Sequence, residues 1–236
     1  MRHRRAAPAR VSREPAAELD ESGRRRLKAV LELLAEERAS VSSVVDERAW
    51  KVHVVDSLTG LEVPDLREAE RIADVGAGAG FPGLVLAVAL PDAEVDLLES
   101  VGRKCEFMRR AAAEAAIANA TVRNTRSEEW ASSGGREAYD AVTARAVGRL
   151  STLAELASPL LEPNGVLVAW KGKRDAEEEK QLADAAETLA MEPEQILDVG
   201  DRAGSEHRHL HVIRKVGSTP GNLPRRPGMA KKHPRG

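Results

Sequence analysis

The feature that most restricts the fold of this chain is a glycine-rich stretch at residues 73–83, ADVGAGAGFPG. It overlaps an apolar run at 71–75 that predicts a strand, and it leads into the apolar residues 81–90, which predict a helix with Pro82 in its first turn. A glycine-rich turn between a strand and a helix allows a ligand to approach the backbone closely. The stretch therefore predicts an open α/β sheet with a cofactor site at this turn.

The glycines of this stretch fit two patterns that imply different cofactors. Gly78, Gly80 and Gly83 have the spacing of a loop that binds a dinucleotide pyrophosphate. Asp74, followed by alternating glycines from Gly76 onward, has the spacing of a loop that binds S-adenosylmethionine (AdoMet). Asp74 favours AdoMet, because its carboxylate would add negative charge beside a pyrophosphate but can attract the ammonium of methionine, directly or through water. The alternative for Asp74 is that it only orients loop amides. A structural alternative is that the glycines only allow close packing of the helix on the strand.

The segments downstream alternate between strand and helix patterns. Strands are predicted at 94–100, 120–125, 139–146, 166–172, 194–200 and 208–216, and helices at 103–118, 150–161 and 175–190. Such alternation predicts a mostly parallel seven-stranded sheet with helices on both faces. The last two strands have no helix between them and predict an antiparallel hairpin at one edge. Because a second mononucleotide-binding half is not evident, the pattern again favours AdoMet.

Both ends of the chain are basic, and a helical segment precedes the glycine turn. Residues 1–13 and 218–236 carry five basic residues each and no acidic one, which predicts either solubilising tails or contacts with nucleic-acid phosphates. Leu27, Val30, Leu31 and Leu34 have helical spacing, and a second helix is predicted at 46–58 with Asp46 as its cap. The predicted division is a flexible basic tail at 1–23, a helical lead-in at 24–66, a Rossmann-like AdoMet-binding domain at 67–217 and a flexible basic tail at 218–236.

The composition excludes several kinds of site. Cys105 is the single cysteine, so an internal disulfide and a cysteine-built zinc site are excluded. His207, His209 and His211 would share one strand face, but no acidic or cysteine partner is evident, so we predict no metal site. The apolar runs fall short of the roughly 18 residues that cross a membrane, and the N-terminus lacks an apolar signal segment. We expect a cytoplasmic monomer without a membrane partner.

Eight segments of the chain match the motifs of a known protein family. They are HVVDSL at 53–58, DVGAGAGFPGLVLA at 74–87, LLESVGRKCEFMR at 97–109, RSEEW at 126–130, YDAVTARAV at 139–147, AWKG at 169–172, RHLHVIRK at 208–215 and NLPRRPGMAKKHP at 222–234. Together these segments resemble the RsmG (GidB) family of 16S rRNA guanine-N7 methyltransferases. The resemblance runs from about Asp46 to the C-terminus, whereas residues 36–45 lack the aromatic-Asn-Leu-Thr segment that the family usually has.

The resemblance implies a class I AdoMet-dependent methyltransferase fold and a guanine in the decoding-centre loop of 16S rRNA as substrate, in free RNA or in the small ribosomal subunit. It implies that AdoMet borders Gly76 and Phe81, that Ser127 and Glu128 flank its adenine, and that Arg145 lies near the methyl group and the incoming base. The residues themselves suggest Glu99, at a strand end, for the ribose hydroxyls. The predicted cofactor-binding set is Asp74, Gly76, Gly78, Gly80, Phe81, Glu99, Ser127, Glu128 and Arg145.

Guanine N7 carries an exposed lone pair, so its methylation needs no general base, and the sequence shows no obvious catalytic dyad. Arg145 and Lys171 each end a strand and are the candidates for holding the O6 edge of the guanine. The alternatives are an ion pair of Arg145 with Asp140 or Glu128, and a solvated turn position for Lys171. His53 and Asp56 lie at helical spacing and predict either a local pair or a contact with cofactor or RNA.

The C-terminal cations predict RNA affinity without base selection. Arg225, Arg226, Lys231 and Lys232 are expected to contact phosphates. Phe81 is the candidate to stack on the guanine. The alternative functions are a methyltransferase for another RNA, a dinucleotide-dependent oxidoreductase, and a non-catalytic RNA-binding module with the same fold.

Overall fold

A computed structural model describes residues 9–10, 19–37, 42, 44–200 and 207–236. The strands are β1 Ala9–Arg10, β2 Arg71–Val75, β3 Glu94–Glu99, β4 Ala120–Asn124, β5 Tyr139–Arg145, β6 Leu161–Lys171, β7 Met191–Asp198 and β8 His209–Lys215. The helices are α1 Glu21–Glu36, α2 Asp56–Leu58, α3 Pro64–Arg67, α4 Gly83–Ala89, α5 Gly102–Glu114, α6 Ser127–Ala131, α7 Leu150–Ala157, α8 Ala176–Leu189 and α9 Met229–Lys232. Within the described residues, no helix is long and apolar enough to span a membrane.

All strands belong to one sheet with the order β1-β7-β8-β6-β5-β2-β3-β4. Strand β8 is antiparallel to both β6 and β7, and the remaining pairs are parallel. The predicted seven-stranded, mostly parallel sheet with its helix-free hairpin is therefore confirmed, and the two-residue β1 extends it beyond β7. The chain order reverses between β2 and β5, and open α/β sheets bind ligands at such a switch point.

The core is divided by the sheet into two apolar layers. Alternate residues of β6 show the division, because Val166, Val168 and Trp170 pack in one layer while Leu167 and Ala169 pack in the other. Helices α1, α4 and α5 cover the first layer, and α7 and α8 cover the second. Both faces of the central strands are thus buried, so only the strand ends remain available for a site.

The helical lead-in starts earlier than predicted and contains an irregular second helix. Asp20 caps α1 by accepting from the backbone N–H of Gly23 at 2.6 Å, so the helix begins at 21 rather than 24. Residues 50–55 form a π-helical turn that continues into α2. Asp46 lies just before this helix, and its carboxylate accepts from the backbone N–H of Arg48 at 3.0 Å, as a capping side chain does, while it also pairs with the Arg48 guanidinium. The indole N–H of Trp170 donates to the carbonyl oxygen of Asp56 at 2.9 Å and ties the lead-in to the sheet.

The C-terminal segment is packed, which corrects the predicted flexible tail at 218–236. The N–H of Thr219 donates to Glu137 at 2.7 Å, and the guanidinium of Arg225 forms a two-pronged pair with Glu155 of α7. The segment has no acidic residue of its own, but its carboxylate partners lie in the domain. The domain division as a whole stays a prediction. Most of the predicted tail at 1–23 lies outside the described residues, as do five of the ten residues at 36–45.

A buried histidine predicts acid sensitivity of the fold. Burial lowers the pKa of His211 on β8 to about 4, so the folded protein keeps it neutral while the unfolded chain protonates it near pH 6.5. This contribution to stability is complete above pH 6.5 and is lost as the pH falls from 6.5 to 4. We expect His211→Gln to reduce the loss of unfolding free energy between pH 7 and pH 5 by about 2 kcal/mol, measured by urea titration. The exposed His207→Gln is the control and should leave that loss unchanged.

Candidate functional site

A cavity of about 380 Å³ lies at the carboxyl ends of β2 and β3 and beside the start of α6. Four of the predicted cofactor-binding residues line it together, namely Gly76, Glu99, Ser127 and Glu128. Val147, after β5, lines the cavity as well. The structure thus brings these four predicted residues to one place, although they come from three separate segments of the sequence.

The lack of a side chain at Gly76 keeps this part of the cavity wall free of side-chain atoms. Its backbone is left-handed, with φ at +67°, and a Cβ atom built there would lie 2.8 Å from Cγ2 of Val147. The N–H of Gly76 donates to the carbonyl oxygen of Leu98 at 2.9 Å, which fixes the turn against β3. A side chain at this position would have to displace Val147, so the glycine preserves the cavity.

The carboxylate of Glu99 is fixed where β3 ends. One oxygen accepts from the N–H of Gly78 at 3.1 Å, and the other accepts from the N–H of Val101 at 2.9 Å. Each carboxylate oxygen can accept a further hydrogen bond, so the group remains able to bind two neighbouring hydroxyls. Gly78 therefore contributes to the site indirectly, because its backbone N–H orients the Glu99 carboxylate.

Asp74 points into the protein rather than into the cavity. Its Oδ2 accepts from the N–H of Gly83 at 3.0 Å, and its Oδ1 accepts from the hydroxyl of Thr143 at 3.0 Å. Burial raises the pKa of this carboxyl to about 6. In this geometry Asp74 orients a loop amide, and its attraction of a ligand ammonium stays a prediction. Gly80 is also a packing position, because a Cβ there would lie 2.5 Å from Leu84.

The same contact argues against a pyrophosphate. The first amide of α4 belongs to Gly83, and the Asp74 carboxylate already occupies it. A dinucleotide phosphate would need the amides at this helix start and would meet a buried acid there. The geometry of the turn thus disfavours the dinucleotide pattern that the glycine spacing also fits.

A buried cationic cluster lies at the end of β5. Nη1 of Arg145 donates to Oδ2 of Asp56 at 2.9 Å and to the carbonyl oxygen of Val52 at 2.9 Å. Neither of the expected partners of Arg145 is used, since Asp140 accepts from the backbone of residues 70 and 71 and Glu128 contacts the C-terminal segment. The lead-in helix therefore supplies the counter-ion of this arginine.

Asp56 joins two arginines, one at the end of β5 and one just before β8. It is fully buried, and Nε of Arg208 lies 2.9 Å from its Oδ1, in a charge contact that lacks the alignment of a hydrogen bond. Burial raises the pKa of the Asp56 carboxyl, and the positive charges of Arg208 and Arg145 oppose that rise. The three side chains carry a net positive charge when Asp56 is ionised, directly beside the switch point of the sheet.

His53 completes the cluster as a neutral ring. Its Nε2 lies 2.9 Å from the carbonyl oxygen of Val44 and its Nδ1 lies 3.2 Å from Nη2 of Arg145, which assigns the proton to Nε2. Burial lowers the pKa of His53 to about 4. The ring stacks on Phe81 with centroids 4.5 Å apart and an interplanar angle of 14°. Phe81 is only 5% exposed, so the stacking of its ring on a guanine stays a prediction that would require this contact to open.

Lys171 is paired rather than solvated. Its Nζ donates to Glu178 of α8 at 2.6 Å and to the carbonyl oxygen of Gly148 at 2.9 Å. These contacts tie the end of β6 to the loop before α7. A role in holding the base stays a prediction for Lys171, and it would require the ammonium to exchange a carboxylate partner.

The four C-terminal cations occupy different environments. Arg225 is committed to Glu155, whereas Arg226, Lys231 and Lys232 are exposed. Lys231 and Lys232 also line the cavity and therefore lie at its rim. Of the four cations that are expected to contact phosphates, Arg225 therefore anchors the segment to α7 in this structure.

The neighbouring residues Arg225 and Arg226 should give opposite phenotypes. Glu155 is only 3% exposed, so Arg225→Ala leaves a buried carboxylate with Arg235 at 3.8 Å as its remaining ion-pair contact and should reduce the free energy of unfolding by about 2–4 kcal/mol. Arg226→Ala should change it by less than about 0.5 kcal/mol and should instead weaken RNA binding and its salt dependence. Urea unfolding and filter binding to rRNA at several salt concentrations measure the two effects. Equal loss of stability in both variants would contradict this assignment.

The sequence does not predict several tertiary contacts between the motifs, or some of the residues that line the cavity. Arg208 was part of a recognised strand, but its contact with Asp56, 152 positions away, was not foreseen. Thr152, Gly228 and Ala230 also line the cavity, and only their position within or near the recognised segments could have drawn attention to them.

The comparisons with known proteins agree on one family. Residues 26–211 match the family model described as rRNA small subunit methyltransferase G. A Bacillus subtilis protein named ribosomal RNA small subunit methyltransferase G is 35% identical over 200 residues, covering 84% of each chain. A protein of the same name from Rubrobacter xylanophilus is 40% identical over 186 residues, covering 77% of this chain and 71% of its own.

Solved structures support the fold independently. A SAM-dependent O-methyltransferase from Thermotoga maritima superposes with a TM-score of 0.58 and 15% identity, over 80% of this chain and 71% of its own. A SAM-dependent methyltransferase from Aquifex aeolicus gives a TM-score of 0.55 and 17% identity, over 72% and 94%. At these identities the likeness concerns the fold alone, and it confirms the predicted class I methyltransferase architecture.

Proposed function

The chain belongs to the rRNA small subunit methyltransferase G family, and from this premise we propose that it methylates N7 of a guanine in the decoding-centre loop of 16S rRNA, with AdoMet as the methyl donor. The observation that carries the proposal is the position of the Gly76–Glu99 cavity at the switch point of the sheet, beside the buried Arg145 cluster. One feature can hold a nucleoside, and the other can hold a base.

The residues of the cavity fit AdoMet. Glu99 presents a fixed carboxylate to the ribose hydroxyls, and Gly76 leaves the wall open, which a Cβ would close. Ser127 and Glu128 line the side expected for the adenine. When bound, AdoMet supplies a methyl group that its sulfonium centre makes electrophilic.

The protein's own task is to position the guanine. N7 has a free lone pair and loses no proton on methylation, so a general base is unnecessary. His53 is kept neutral, and both of its ring nitrogens are within hydrogen-bonding distance of protein atoms, which agrees with a scaffolding role rather than proton transfer. Arg145 is the cation available to the O6 edge of the base, and correct orientation alone can contribute roughly 7–11 kcal/mol to the barrier reduction.

The alternative functions are distinguished by specific observations. Asp74 disfavours a dinucleotide-dependent oxidoreductase, because it fills the helix start that a pyrophosphate would need. A non-catalytic RNA-binding module would have the same fold, so only turnover separates it from the enzyme. We further propose that the protein acts as a monomer in the cytoplasm, and size-exclusion chromatography with light scattering would measure the oligomeric state.

The deciding experiment is transfer of labelled methyl groups to small ribosomal subunits that lack base methylation, followed by nucleoside mass analysis. A single 7-methylguanosine in the decoding-centre loop is the expected product, and subunits already methylated there are the control. Methylation of a different base or of another RNA would overturn the proposed substrate. AdoMet binding together with subunit binding but without transfer would favour the non-catalytic alternative.

A further inference from the structure

The C-terminal segment forms one side of the cavity that is proposed to hold the cofactor. Gly228, Ala230, Lys231 and Lys232 line it, together with residues that follow β2 and β3. Residues 225–232 are called the C-terminal strap below. The basic residues of the strap predict contacts with RNA phosphates, but its backbone and its small residues face the domain.

The strap is anchored at three points to elements that also surround the cavity. The N–H of Gly228 donates to Oε1 of Glu128 at 2.7 Å, and the carbonyl oxygen of Ala230 accepts from the hydroxyl of Thr152 at 3.2 Å. Arg225 supplies the third anchor through Glu155. Glu128 and Thr152 both line the cavity, so the strap is bonded directly to the cavity wall.

The burial pattern shows which side of the strap faces inward. Ala230 is only 3% exposed, while Lys231 and Lys232 are exposed at the rim. A small buried residue leaves space for a ligand, and the charged heads remain in solvent. Glu128 uses one oxygen for Gly228, and this bond also holds the carboxylate in its position at the cavity.

We propose that the C-terminal strap is a binding wall for the adenosine part of the cofactor, so that cofactor affinity depends on it in the absence of RNA. The inference rests on the proposed AdoMet-dependent function and extends it to residues outside the sheet. The strap acts by contact and by holding Glu128, since adenosine carries no charge that the two lysines would need to neutralise.

The first test compares the full chain with a variant that lacks residues 229–236, which keeps Arg225 and Gly228 in place. Calorimetric titration with AdoMet, without RNA, should show an increase in Kd of about tenfold or more. The thermal midpoint of the ligand-free variant reports whether it folds. Should the deletion fail to fold, Ala230→Phe is the second variant, because it fills the cavity side of the strap and should raise the Kd similarly.

The matched control tests whether the strap backbone or the lysine charges are responsible for AdoMet affinity. Lys231→Ala combined with Lys232→Ala keeps the strap backbone, so its Kd for AdoMet should stay within about twofold of the parent while its affinity for rRNA falls. Parental AdoMet affinity in the folded deletion or in Ala230→Phe would overturn the inference. A loss of AdoMet affinity in the double lysine variant equal to that of the deletion would also overturn it, because charge would then be responsible.

The outcome is distinguishable from failure of the proposed function. Binding is measured without RNA, so a protein that binds AdoMet through the strap but does not methylate guanine N7 would disprove the substrate and leave the inference standing. If instead a folded deletion variant keeps the parental AdoMet affinity and methylates the expected guanine, the inference about the strap is disproved and the proposed function stands.

Discussion

Asp56→Ala is expected to lower the free energy of unfolding by about 3–5 kcal/mol, because it leaves Arg145 and Arg208 largely buried without their carboxylate. Asp56 is fully buried, and the two guanidiniums approach it from β5 and from the start of β8. Urea unfolding at pH 7 measures the change. Asp46→Ala is the matched control, since Asp46 also pairs with an arginine but in solvent, where such a pair contributes about 1 kcal/mol or less.

A second substitution tests whether the loss of stability in Asp56→Ala comes from the unpaired arginine charges or from the missing side-chain volume. When Asp56→Ala is combined with Arg145→Met, one unpaired guanidinium disappears, so the double variant should be more stable than Asp56→Ala alone. A double variant whose loss equals the sum of the two single losses would contradict the view that Asp56 neutralises Arg145. Similar small losses for Asp56→Ala and Asp46→Ala would contradict the buried-pair assignment altogether.

The fold could be predicted because its signals are local. The alternation of apolar strands with amphipathic helices is carried by neighbouring residues, and so is the glycine turn that marks the site. The absence of a helix between β7 and β8 was sufficient to predict their antiparallel pairing. Local composition misled at the C-terminus, because the carboxylate that fixes Arg225 lies 70 positions earlier in the sequence, on α7.

The candidate site could be predicted only to the level of which strand end each residue occupies. Position after a strand placed Gly76 and Glu99 correctly at the cavity, but it did not reveal on which side of the turn Asp74 points. The counter-ion of Arg145 could not be inferred either, because residues 56 and 145 meet through tertiary packing of the lead-in on the sheet. Such contacts depend on the direction of side chains in the assembled fold, which sequence spacing does not encode.

Arg145→Lys is expected to reduce the rate of methyl transfer by about 10²–10³-fold while the protein stays folded. Lysine keeps the positive charge beside Asp56, but a single ammonium cannot reproduce the planar fork that contacts Val52, Asp56 and His53 together. The base would therefore meet a cation that is neither fixed in position nor bidentate. The rate at saturating AdoMet, measured on unmethylated small subunits, is the decisive quantity.

Comparing the change in methyl-transfer rate with the change in AdoMet affinity shows which role Arg145 has. It is absent from the described residues that line the Gly76–Glu99 cavity, so the Kd for AdoMet should change much less than the rate. Arg149→Lys, a change of the same chemistry at an exposed position that donates to Gln181, should retain both parental values. A loss that lies entirely in AdoMet affinity would assign Arg145 to the cofactor. Parental activity in Arg145→Lys would remove it from the site, because the cluster would then be a structural support for the lead-in alone.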